Sequence, residues 1–527
     1  MSYPRLSRAL FLLLAALVLL VFRDYGITWD EPDHNDYGRM AARFYASGLR
    51  ELPDDPYLHL YGAAFDGPAS VIGSVSPLGL WPTRHLMNAL VGLLGIAGTW
   101  SCARSLAGEG AAFWAALLLA LTPCWWGHMF NNPKDIPFAT GYVWSLALLL
   151  RFLAAWPAVP VRLALLLGVV TGLSMGIRVG GVLLLGYLAI AAVWRARGPD
   201  DPGVRRAAGP ALGAAALAWA VMLAAWPYAL TRPFSWPLEA LTKFMHYFPL
   251  KFSVVFRGRM FLATQLPWDY IPTYLAVQLP EVFPVLLVGG LMAAAAAAAT
   301  ASAAASSADG RGARLSREAC GRWGLVALAT AVPVAFVIAG RSVVYNGLRH
   351  MLFVVPPLAC LAGAAMDALA GWLTARSGAL RRGAWVVLGV WLAWHLSVLV
   401  RIHPYQYVYY NAFAGGVRGA FCQYEYDYWG MSYPEALGQL QGYLRAFPPP
   451  PGRKWRVAPC GAPRAFREEL PPEFELADDP RDADFVAVLL GMGCPGVDTK
   501  APSVALVTRF RVPLSYVLDQ RRAGRRR

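Results

Sequence analysis

Two adjacent carboxylates, Asp30 and Glu31, stand in the stretch Trp29-Asp30-Glu31-Pro32-Asp33-His34, just beyond the first apolar run of the chain, Leu6 to Phe22. Ionisable groups held beside hydrocarbon are costly, so such a cluster at membrane depth marks a functional site. Like charges this close raise the pKa of one of them, which improves it as a base. A helix start explains the same residues without chemistry, because Pro32 suits a first turn and acids suit the positive end of the helix dipole.

A second polar group lies in Gly127-His128-Met129-Phe130-Asn131-Asn132-Pro133-Lys134-Asp135-Ile136-Pro137, between two further apolar runs. A plain connector needs fewer polar side chains, although Asn-Pro is also ordinary turn chemistry. Basic residues recur at the ends of other runs: Arg84 and His85, Arg178, and Arg349 with His350. The guanidinium fork of arginine is the preferred partner of a phosphate, whereas a lone arginine at a helix end equally well snorkels to the interface. Asp30, Asp33, His34 and Asp135 could in principle gather a divalent metal, but no cofactor is expected. No His-Glu-x-x-His zinc motif, Walker loop or dinucleotide fingerprint is present.

The elements that must position these residues are membrane helices. Of 527 residues, 57% are hydrophobic and 15% charged, too apolar a balance for a water-soluble chain of this length. Eleven apolar blocks, near residues 6–22, 86–103, 111–126, 136–153, 163–177, 180–194, 210–229, 274–298, 323–339, 351–372 and 384–400, approach the length needed to cross a core of about 30 Å. The fold class expected is therefore a polytopic α-helical membrane protein with about 11 transmembrane helices. Gly176, Gly180 and Gly181 predict a broken hairpin around Arg178.

Arg5, Arg8, Arg104, Arg151, Arg162, Arg195, Arg376 and Arg381 fall on one side of this topology, which assigns that side and the N-terminus to the cytoplasm. The membrane domain is expected over residues 1–400, with outer loops 23–85 and 231–273. The tail, 401–527, is expected outside as a small α/β region, with a helix over Tyr433–Phe447 and strands over Asp484–Leu490 and Val504–Val512. Residues Ala293–Ser307 form an Ala/Ser-rich inner linker. Of the tail cysteines, Cys460 and Cys494 are the expected bridge, leaving Cys422 as a free thiol. The net charge of +15 is scattered over loops and makes no nucleic-acid stripe. The Ala, Gly and Arg content suggests a bacterial plasma membrane.

The pattern resembles the integral-membrane glycosyltransferases of the GT-C class, particularly the bacterial family 39 relatives of protein O-mannosyltransferases and of the lipid A aminoarabinose transferase. It rests on Ile27-Thr28-Trp29-Asp30-Glu31, on Phe130-Asn131-Asn132-Pro133-Lys134-Asp135-Ile136-Pro137, on Asn346-Gly347-Leu348-Arg349-His350, and on Pro404-Tyr405-Gln406-Tyr407 with Tyr426-Asp427-Tyr428-Trp429-Gly430. The resemblance implies inverting transfer of a sugar from a polyprenyl-phosphate donor to a hydroxyl acceptor, be it lipid, glycan or protein, at the outer membrane face. It implies Asp30 as general base, Glu31 as its orienting or sugar-binding neighbour, and Asp135 as a positioning acid. Lys134, Arg84 and Arg349 would hold the phosphate, with His85, Arg178, His350 and Asn132 as further substrate-binding candidates. No large β-trefoil insertion of the eukaryotic protein mannosyltransferases is visible. The competing class is a transporter or flippase of a lipid-linked or anionic solute, for which paired inverted halves are expected.

Overall fold

The computed structural model describes residues 2–196, 204–246, 253–290 and 310–521. The expected linker Ala293–Ser307 lies outside these. Among the described residues, seven helices are long and apolar enough to cross a membrane: Tyr3–Val21, Leu80–Ala107, Asp135–Ala154, Ala207–Ala225, Glu318–Ala339, Arg349–Thr374 and Gly378–Ile402. All eleven expected apolar blocks contain helix, but eleven full crossings are not what the helices show by length. Glu109–Ala120, Val161–Met175 and Val179–Arg195 are shorter than the roughly 20 residues a straight crossing takes.

The block expected at 274–298 is broken, with Tyr270–Gln278 and Val282–Gly290 meeting at 111°. Pro280 disfavours helical backbone at Leu279, which is extended (φ −85°, ψ 149°). The hairpin predicted around Arg178 is present: helix Val161–Met175 gives way to a 3₁₀ turn at Val179–Gly181 and then to helix Val182–Ala196, with Arg178 extended between them.

Burial follows a membrane logic, in which apolar side chains facing lipid are already in an apolar solvent. Helix Tyr3–Val21 buries only Ser7, Leu14 and Val18, whereas Asp135–Ala154 is surrounded by protein along most of its length. Helix Leu80–Ala107 meets it through small residues. A Cβ at Gly95 would lie 2.5 Å from Trp125 and 2.6 Å from Thr140 Oγ1, and one at Gly98 would lie 2.9 Å from Val143 and Trp144. Such close helix approach is what glycine provides in a bilayer, where no hydrophobic force drives helices together.

After helix Gly378–Ile402 the chain passes through a short aromatic belt to helix Tyr433–Leu444 and a five-stranded sheet. Counting the two-stranded hairpin as β1 (Ser253–Phe256) and β2 (Arg259–Leu262), the sheet comprises β3 (Trp455–Cys460), β4 (Phe474–Leu476), β5 (Phe485–Leu489), β6 (Ser503–Arg509) and β7 (Val512–Asp519), in the order β4-β3-β5-β7-β6. Strand β3 runs parallel to β4 and β5, and β7 antiparallel to β5 and β6. The single strand expected over 504–512 is therefore the first arm of a hairpin that turns at Phe510 and Arg511, both with positive φ. Cys460 and Cys494 form a disulfide with Cα atoms 5.7 Å apart. One apolar core runs from Leu14 through Trp125 and Tyr407 to Val457 and Val517, so the sheet is packed onto the helices.

Candidate active site

The segment carrying Asp30 is gripped from two sides. Trp29 N–H donates to Trp429 O at 3.0 Å, Ile27 N–H donates to the Glu469 carboxylate, and Asn131 Nδ2 donates to Gly26 O at 3.2 Å. A helix, Glu31–Ala46, then begins with Asp30 at its N-cap position and Pro32 in its first turn. Both readings of the acidic pair are thus present at once: a good helix start and a carboxylate at a polar centre.

Asp30 and Glu31 engage different partners. Glu31 turns back to accept from Thr28 N–H at 2.8 Å and Thr28 Oγ1 at 3.2 Å, and its other oxygen lies 3.1 Å from His85 Nε2. Asp30 points the other way and is paired with Arg349. Burial pushes the Asp30 carboxyl upward, but Arg349, Lys134 and His34 outweigh it and hold the group below its ordinary value. The rise expected from two neighbouring acids is therefore reversed, because the second acid is engaged elsewhere and the nearest charges are cations.

The second polar loop is ordered by one side chain. Asn132 Oδ1 accepts from the N–H groups of Lys134 (3.4 Å) and Asp135 (3.0 Å), an Asx turn that fixes which end of the amide is which. Its Nδ2 consequently faces Asp135 Oδ2 and His128 Nδ1, each at 2.8 Å. An acceptor role at Nδ1 places the His128 proton on Nε2, 3.2 Å from the Tyr428 hydroxyl. Burial holds the His128 pKa down to about 3, so the ring is neutral.

Asp135 accepts from Arg349 Nε at 3.2 Å and is also paired with Arg178. Arg349 therefore bridges Asp30 and Asp135, while its Nη1 makes no hydrogen bond among the described residues. Its guanidinium lies 5.1 Å from the Trp429 ring. Lys134 forms no ion pair among the described residues; its Nζ sits 4.3 Å from the centre of the Tyr61 ring, which Arg178 also flanks at 5.6 Å. Tyr61 is held there by backbone contact, since Gly62 packs so tightly that a Cβ would fall 1.9 Å from Gly176 O.

Among the described residues three cations, Arg178, Arg349 and Lys134, thus face two carboxylates, an excess of one positive charge by formal count. Beside them opens a cavity of about 810 Å³, lined by Tyr61, Arg178, Tyr345 and His350 at its polar part and by side chains such as Phe138, Leu183, Phe336 and Phe353 elsewhere.

Arg84 and His85 lie apart from this cluster. Arg84 is buried against Asp66 Oδ1 at 2.8 Å and Ser70 Oγ at 3.0 Å, and His34 Nδ1 meets the other Asp66 oxygen at 2.7 Å. Burial raises the Asp66 carboxyl, but His34 and Arg84 outweigh it and keep it low. Breaking a buried pair by removing one partner costs about 3–5 kcal/mol. Asp66→Ala is therefore expected to lower the thermal unfolding midpoint of the detergent-solubilised protein sharply; an unchanged midpoint would contradict this pairing. The four residues suggested for a metal have other partners, and among the described residues no three His, Cys, Asp or Glu side chains converge. Tyr61, Asp66, His128 and Tyr428 were not expected at or near the site. The polar run at 127–135 and the Tyr-rich words of the tail are the only sequence signals that point to any of them.

No family profile matches the sequence and no curated protein is significantly similar to it. Among solved structures the chain is similar to ArnT from Cupriavidus metallidurans in its apo state, with 16% identity, 97% of each chain covered and a TM-score of 0.49. It is similar to the same protein bound to undecaprenyl phosphate, with 17% identity, 97% of each chain covered and a TM-score of 0.46. It is also similar to the oligosaccharyltransferase AglB from Archaeoglobus fulgidus in complex with an inhibitory peptide and a dolichol-phosphate, with 13% identity over 91% of this chain and 69% of the other and a TM-score of 0.46.

Proposed function

We propose that the protein is an inverting glycosyltransferase of the GT-C kind in a bacterial plasma membrane, moving a sugar from a polyprenyl-phosphate carrier to a hydroxyl acceptor at the outer face. The observation that carries this reading is the surplus positive charge of Arg178, Arg349 and Lys134 beside a cavity with largely apolar walls. A sugar phosphodiester of a polyprenol is a monoanion with a hydrocarbon tail, so its phosphate balances that charge and its tail fits those walls.

The chemistry follows from the charges. The acceptor oxygen attacks the anomeric carbon on the face opposite the phosphate, the acceptor proton passes to Asp30, and the bond from the anomeric carbon to the phosphate oxygen breaks. Both electrons of that bond leave with the phosphate, whose charge grows from one to two. The leaving group needs no proton, so one carboxylate base suffices, and the main demand is for cations where charge develops. Arg349 meets this demand and also tunes the base. A phosphate that draws Arg349 toward itself loosens its hold on Asp30, raising the basicity of that carboxylate when donor is bound. Asp135, oriented by Asn132, keeps Arg178 and Arg349 aimed at the same place.

The test is transfer itself. Purified protein in nanodiscs, given radiolabelled polyprenyl-phosphate sugars and an envelope lipid extract, is expected to yield labelled acceptor and one equivalent of free polyprenyl phosphate. Movement of intact donor across proteoliposomes, with no bond broken, would overturn the reading in favour of a flippase.

A further inference from the structure

Arg349 is delivered to the site by a turn in an unusual backbone state. Asn346 (φ 58°) and Gly347 (φ 64°) are both left-handed, a conformation that an asparagine adopts only at some cost and that outside contacts must maintain. The amides of this turn do not bond within it. Asn346 N–H donates to Glu425 Oε2 at 2.9 Å, Gly347 N–H donates to the Tyr270 hydroxyl at 3.1 Å, and Leu348 N–H donates to Gln278 Oε1 at 3.0 Å. The Tyr270 hydroxyl in turn donates to the same Glu425 oxygen at 3.2 Å. One carboxylate therefore gathers two of the three anchors, directly and through a phenol. It comes from the segment that also supplies Tyr428 and Trp429 to the site.

We infer that Glu425 is a positioning residue: its ionised carboxylate clamps the 346–348 turn so that Arg349 is presented to an anionic phosphate, and anion capture weakens when that carboxylate is protonated. The inference rests on the phosphate reading of Arg349 given above. No cation pairs with Glu425 among the described residues. The groups around it are the phenols of Tyr270 and Tyr274 from the first arm of the bent helix pair, Tyr410 from the aromatic belt and Tyr428 from its own segment. Burial pushes its pKa up to about 7, against the lowering effect of the Asn346 N–H and the Tyr270 hydroxyl. The clamp thus tightens as pH rises through neutrality and relaxes as pH falls. An ionised acceptor makes the stronger hydrogen bonds, and a protonated acid loses one acceptor site.

The probe is farnesyl methyl phosphodiester, whose single negative charge does not change across this range, titrated against the full-length protein in nanodiscs at about pH 6 and about pH 8. Wild type is expected to bind about threefold to tenfold more tightly at the higher pH, the worth of about one net hydrogen bond. Glu425→Gln, of the same shape, should bind at the weaker level at both, and Tyr270→Phe should fall between. Hydrogen exchange of the amides of Asn346, Gly347 and Leu348 is read in parallel. These should exchange faster in Glu425→Gln, and in wild type beyond the intrinsic rate ratio at the lower pH. A pH dependence of binding that persists in Glu425→Gln, or turn amides that do not respond to it, overturns the inference. Absence of phosphodiester binding in wild type, with amides that still respond, would instead sink the phosphate role of Arg349 and leave the clamp supported.

Discussion

Asp30→Asn is expected to lower the turnover number by about 10²–10⁴-fold, the contribution of a positioned general base, while leaving donor binding intact or tighter. The second half of this expectation is the discriminating one. In the resting site Asp30 competes for Arg349, and that cation holds its carboxyl below the ordinary range. Neutralising Asp30 releases Arg349 to the phosphate, so the KM for donor should stay level or fall. If Asp30 served only to hold Arg349 in place, the same substitution would raise the donor KM and spare kcat. The pH profile carries the same distinction. A depressed pKa keeps Asp30 ionised at neutral pH, so in the free enzyme it should add no acid limb to kcat/KM above about pH 4. A limb near neutrality belongs to Glu425 and should vanish in Glu425→Gln. When donor draws Arg349 away, the Asp30 limb should move upward and become visible in kcat.

The parts of this site that the sequence made legible are those written in local order. The Asp30 segment follows an apolar run, the Asn132–Asp135 loop connects two others, and Arg349 precedes a third, so each residue could be placed at the end of a helix from hydropathy alone. The break at Arg178 was equally local, announced by Gly176, Gly180 and Gly181. What hydropathy could not supply was which charge meets which. Arg84 and Arg349 look alike in sequence, each an Arg-His pair at the start of an apolar helix. Yet Arg84 finds Asp66 and Arg349 finds Asp30 and Asp135, and these pairings are decided by the packing of separate helices. The bend at Pro280 and two of the unpredicted strands, β3 and β7, escaped for a different reason. A proline in an apolar run reads as tolerable within a membrane helix, and Pro459 and Pro513 hide strands whose ladders run around them.

Arg349 is the residue whose loss should be felt most widely. Its side chain is 3% exposed and is the one ion-pair partner the two carboxylates share among the described residues, so Arg349→Ala leaves Asp30 without its ion pair and Asp135 with Arg178 as its remaining ion-pair partner. Removing one member of such a buried network costs about 3–5 kcal/mol, and removing a preorganised donor to developing charge costs about 10²–10³-fold in kcat. Arg349→Lys should recover little of either, because an ammonium is a point charge that cannot span both acids and still offer a free fork to phosphate. The two losses are separable by a second substitution. In Asp30→Asn/Arg349→Met one uncompensated charge is gone with its partner, so thermal stability in detergent should return part of the way toward wild type. Turnover should not return, since both the proposed base and the proposed hydrogen-bond donor to phosphate are missing. Joint recovery of stability and transfer would mean that Arg349 is purely structural. Recovery of stability alone is the result required of a cation whose fold role is to neutralise Asp30 and whose chemical role is to exchange that carboxylate for a phosphate.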